Sequence, residues 1–137
     1  MSNGSPRSDS AILLLRVRAA VVLGFAIAAH LTLDLVYRPW AAQKEFRDFG
    51  LAGSFTQLTS VVGISAIMVL VESDWLWQDK WNRRLLTWIP GIAMLCYEIM
   101  QLWLPWAIFD AADIIWTFAG GVLAGVICRL AYDPVMK

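Results

Sequence analysis

The residues with the most chemical potential lie between Tyr97 and Ile127, in the stretch YEIMQLWLPWAIFDAADIIWTFAGGVLAGVI. Glu98, Gln101, Asp110 and Asp113 interrupt a sequence otherwise apolar enough for lipid. A carboxylate at mid-membrane depth costs roughly 2.5–3.5 kcal/mol on insertion scales, so such groups face a protein interior or a wet cavity. Glu98 and Gln101 are three apart and share a helix face, as do Asp110 and Asp113. Leu104-Pro105-Trp106 between the two pairs marks a helix exit and a tight turn. The stretch therefore reads as a helical hairpin with an acidic, amide-bearing mouth.

Two further segments, and a deeper residue of the hairpin itself, bring polar groups toward the same level. His30, Asp34 and Arg38 are spaced four apart, a ladder down one face of the first helix. Gln57 follows Ser54 and Thr56 at the start of the second, and Thr117 lies one turn beyond Asp113. The ligand-binding set expected from these positions is His30, Asp34, Arg38, Gln57, Glu98, Gln101, Asp110, Asp113 and Thr117. Arg38, Lys44 and Arg47 lie just above it and could draw in phosphate. Simpler roles compete with binding. Interhelical hydrogen bonds account equally for Glu98, Gln101, Gln57 and Thr117, and Asp110 has the character of a helix N-cap. The His30–Asp34–Arg38 ladder also reads as a self-neutralising salt bridge that lets its helix insert.

Catalytic signals are thin. One His beside one Asp suggests acid–base chemistry by His30 with Asp34 or Glu98, but no serine or cysteine nucleophile is matched to them. A metal centre wants more His or Cys than this level supplies, and there is neither a phosphate-binding glycine loop nor a basic aromatic surface for nucleic acid. The expectation is a binding protein without metal, cofactor or nucleic-acid partner.

The elements that must position these groups follow from composition. Of 137 residues 59% are hydrophobic, clustered into four long runs, and the formal net charge is zero. A spanning helix needs about 20 mainly apolar residues, and the runs at about 18–37, 52–71, 85–104 and 111–131 meet that length. The expected fold is all-α, a single integral membrane bundle of four transmembrane helices, with residues 1–10 outside it. The first apolar run continues past signal-peptide length without a clear small-residue cleavage site, so the first helix is expected to be retained.

Arg7, Arg16, Arg18, Lys80, Arg83, Arg84, Arg129 and Lys137 fall on one side of these spans, against Arg38, Lys44 and Arg47 on the other. By the positive-inside rule both termini are cytoplasmic and the mouth faces outward. Trp40, Trp103 and Trp106 then mark the outer interface and Trp75, Trp77, Trp81 and Trp88 the inner one, while Trp116 lies a turn too deep. Gly121 and Gly125, preceded by Gly120, form a small-xxx-small step that predicts close helix packing. Cys96 and Cys128 are expected at depths about 10 Å apart, as buried thiols rather than a disulfide.

The hairpin resembles the VanZ-like family, small bacterial membrane proteins named for a teicoplanin-resistance protein. The resemblance rests on Glu98-x-x-Gln101, Pro105, Phe109-Asp110-x-x-Asp113, and Gly120, Gly121 and Gly125, about 30 residues of the 137. Ala107 stands where the family usually has Arg, and Thr117 where it usually has Asn. The resemblance implies a multi-pass protein of the bacterial inner membrane that binds a membrane lipid or a lipid-linked envelope precursor, with an effect on glycopeptide antibiotic tolerance. The departures from the family pattern favour a second expectation, an accessory subunit bound to other membrane subunits in a larger complex.

Overall fold

The computed structural model describes residues 9–44, 51–71, 80–104 and 110–135, with side chains from 53 and from 84 onward in the second and third of these stretches. All of the regular structure among the described residues is helical. Helix α1 spans Asp9–Gln43, α2 spans Leu51–Val71, α3 spans Lys80–Gln101 and α4 spans Ala111–Tyr132. Three of them, α1, α2 and α4, are long and apolar enough to cross a membrane. The fourth, α3, is 22 residues long but carries Arg84, Glu98 and Gln101 along its length. The expected spans hold for α2 and α4. Helix α1 is longer than expected at both ends, and α3 starts earlier and ends at Gln101, where Leu102 and Trp103 form a turn.

Packing puts α2 at the centre, against each of the other three helices. Helix α1 runs antiparallel to it, with His30 level with Thr59 and Arg38 level with Gly53. Helix α3 is also antiparallel to α2, Gln57 meeting Glu98 near one end and Ser65 meeting Thr87 near the other. Helix α4 runs parallel to α2, with Phe55 beside Trp116 and Leu58 beside Gly120. The edge-on Phe55–Trp116 contact, with ring centroids 5.0 Å apart, explains the deep position of Trp116: it is a packing residue, not an interface anchor.

Helix α1 touches the bundle along one narrow stripe. Leu15, Ala19 and Ala26 are buried, while Val17, Val21, Phe25, Leu31 and Leu35 face outward. Small residues let two backbones approach, as where a Cβ at Gly63 of α2 would lie only 3.7 Å from Ala26 Cβ, and such close packing helps to hold helices together in lipid. Two turns are π-helical, Leu33–Tyr37 in α1 and Cys128–Tyr132 in α4. Pro90 lies inside α3 and is buried, and the Ser65 hydroxyl, which donates to Val61 O at 2.8 Å, lies 3.4 Å from Thr87 O in the preceding turn.

The tightest point is a waist where α2, α3 and α4 meet. A Cβ at Gly120 would lie 2.9 Å from Leu58 Cα and 3.0 Å from Val61 Cβ, so only glycine permits that approach. Gly91 faces Gly121 at the same level. Gly125, expected to share in this packing, does not: nothing lies within 4 Å of a Cβ placed there. It faces open space because the crossing is already made a turn earlier. A second correction concerns the thiols. Neither is in a disulfide, but only Cys128 is buried; Cys96 is on the outer surface of α3.

Candidate functional site

Above the waist, α3 turns Glu98 inward. Glu98 is 0% exposed, the most buried carboxyl group among the described residues. Both oxygens are acceptors: Gln57 Nε2 of α2 donates to Oε1 at 3.0 Å, and Gln101 Nε2 of α3 donates to Oε2 at 2.8 Å. The second bond is local, since residues three apart on a helix are neighbours. The first is tertiary and ties α2 to α3.

Helix α4 begins at this end with Asp110. Its backbone is extended (φ −122°, ψ 120°) and its Oδ1 accepts from Ala112 N at 2.8 Å, so it is the N-cap. Asp113 follows in the first turn, where the helix dipole favours a negative charge. Thr117, a turn deeper, is 0% exposed, and its hydroxyl has no hydrogen-bond partner among the described residues. The Ser54 hydroxyl on α2 is buried and has no partner among the described residues either. The helix register places both between the Asp110 end of the bundle and the glycine waist. Buried hydroxyls without a partner are rare and mark sites where a water or ligand completes the set. Pro105 and Trp106 of the expected turn, and Phe109 of the family pattern, lie outside the described residues.

The expected site does not form as one cluster. His30 Nδ1 lies 3.0 Å from Thr59 Oγ1, on the face of α2 toward α1. Asp34 and Arg38 pair with each other, and Arg38 Nη2 also reaches Gly53 O at 3.4 Å. These residues are thus engaged with α1 and the entry of α2, whereas Gln57, Glu98 and Gln101 form their own triad. Thr59 and Gln57 are two residues apart, about 200° around a helix, so α2 stands between the two groups. The pairing of His30 with Glu98 is not made. Of the ladder, only its Asp34–Arg38 rung exists; His30 leaves it for Thr59.

Two participants were missed as site residues, Thr59 and Ser54. Each is a hydroxyl within a mostly apolar helix, but nothing in local spacing reveals which neighbour it meets. Among the described residues no group of three or more His, Cys, Asp and Glu side chains is arranged to hold a metal ion. Comparison with protein-family models, with curated proteins and with solved structures finds no match to this chain.

Proposed function

We infer that this is a multi-pass membrane protein whose Glu98 mouth binds the polar headgroup of a membrane lipid or of a lipid-linked envelope precursor. The observation that carries the reading is the buried Glu98 carboxyl, held by amides from two helices, with the unpartnered hydroxyls of Ser54 and Thr117 at neighbouring levels. Helix glue would need the amides and the carboxyl but no spare hydroxyls. Acceptors and amides without a cation of their own suit a hydroxyl-rich or amine-bearing group better than a bare phosphate. The VanZ-like resemblance belongs to the same proposal, and with it the bacterial inner membrane, cytoplasmic termini, an outward mouth and an effect on glycopeptide tolerance.

Glu98→Gln tests the reading, because it keeps size and lets the neighbouring amides turn to pair with it. Mass spectrometry of the detergent-purified chain should show a lipid or lipid-linked species that is lost in Glu98→Gln while folded yield stays level. Unchanged retention in Glu98→Gln and in Thr117→Val would leave the mouth as packing alone.

A second reading, an accessory subunit of a larger membrane complex, is favoured by α1. Its apolar window is only 17% buried, against 44% for α2, which leaves most of its surface for lipid or a partner helix. Stable isolation only with other subunits would select this reading.

A further inference from the structure

At the end of the bundle opposite Glu98, a cleft of about 460 Å³ opens between α3 and α4. Its rim carries Arg84 from α3 and Arg129 and Asp133 from α4; its deeper walls are Trp88, Val122 and Val126, with Gly125 at the floor. The antiparallel register sets this order, charged groups near the helix ends and apolar groups a turn or two inward. That is the polarity sequence of a phospholipid, headgroup first and acyl chain below. Among the described residues Arg84 and Asp133 each have other interactions, which leaves the single positive charge of Arg129 to meet a single phosphodiester.

Local structure supports an anion here. Arg129 has no hydrogen-bond or ion-pair partner among the described residues. It lies in the π-helical turn Cys128–Tyr132, a wide turn that is often found at functional positions. The carbonyls at the end of α4 would repel an anion, but Arg18 of α1 donates to Ala131 O at 2.7 Å and offsets that charge. Space for a chain exists because a Cβ at Gly125 would touch nothing within 4 Å. Basic clefts between membrane helices at the headgroup level are a recurrent mode of anionic lipid recognition, and guanidinium forks match phosphate oxygens.

We propose that this cleft is a binding site for a monoanionic phospholipid, with Arg84 and Arg129 on the phosphate and Trp88, Val122 and Val126 along the first part of an acyl chain. It is separate from the Glu98 mouth and does not depend on it.

The test uses the full chain purified in a neutral detergent, with thermal unfolding followed during titration with phosphatidylglycerol, phosphatidylcholine or glycerol phosphate. Phosphatidylglycerol should raise the midpoint in a saturable way, as any ligand of the folded state does, and the other two should not. Arg129→Gln should weaken the apparent affinity about tenfold, the scale of one charged hydrogen bond. Gly125→Leu should fill the floor and abolish the effect without loss of fold, and Glu98→Gln should leave the effect intact. Equal stabilisation by phosphatidylcholine would overturn charge recognition, and equal stabilisation by glycerol phosphate would overturn the lipid assignment. Parent-like titrations of both Arg129→Gln and Gly125→Leu would remove the site.

Discussion

The two ends of the α3–α4 interface solve the problem of charge in a membrane bundle in opposite ways. At one end Glu98 is enclosed, and protein amides take both of its oxygens. At the other, Arg84 and Arg129 line an open cleft to which α2 contributes no residue. The difference is the third helix. Where α2 closes over the interface, its Gln57 supplies a partner and the carboxyl is satisfied from within. At the other end α2 still packs on the inner side, Ser65 against Thr87 and Val69 with Leu86, but the cleft between α3 and α4 opens away from it, and Arg84 and Arg129 stay exposed at the rim. A buried ionisable group with its donors built in favours a fixed shape, whereas an exposed guanidinium favours an exchangeable ligand.

The largest expected effect breaks the waist that separates the two ends. Gly120→Leu should cost about 3 kcal/mol or prevent folding, through overpacking against the Leu58 backbone and Val61. The sharper comparison is with Gly125→Leu, which meets no neighbour and should unfold like the parent. Reversible unfolding in mixed micelles gives both numbers. Equal losses at the two positions would mean that the waist lies elsewhere.

Next comes the enclosed charge itself. Gln57→Leu leaves Glu98 Oε1 without its donor and should destabilise by about 1–3 kcal/mol. If instead water reaches that oxygen freely, the loss will fall within about 0.5 kcal/mol, and the mouth is as open as the cleft. Asp110→Ala removes the N-cap of α4 and should cost about 1 kcal/mol. Its effect should be additive with Gln57→Leu, since the two residues share no hydrogen bond. Coupling in the double variant would join the cap to the mouth as one network.

The smallest effect is expected across α2. Thr59→Val removes the partner of His30, and a single interhelical hydrogen bond in a membrane bundle averages about 0.6 kcal/mol. Lipid retention at the Glu98 mouth should be unaffected by Thr59→Val. A loss of retention there would return His30 to the mouth and undo the separation.

What the sequence by itself determined is local. Runs of apolar residues set the helices, Asp110 before an apolar segment announced its cap, and the i, i+3 spacing of Glu98 and Gln101 set their hydrogen bond. These depend on residues within a turn of one another. What only the tertiary structure decided is which faces meet. Spacing gives the angle of a side chain around its own helix but not the direction from which a neighbour arrives. Thus the ladder of His30, Asp34 and Arg38 looked like part of the mouth until α2 stood between them. Gly120 rather than Gly125 became the contact because α2 crosses at Leu58 and Val61. Arg84 and Arg129, 45 residues apart, share a cleft only because α3 and α4 lie antiparallel with their charged ends together.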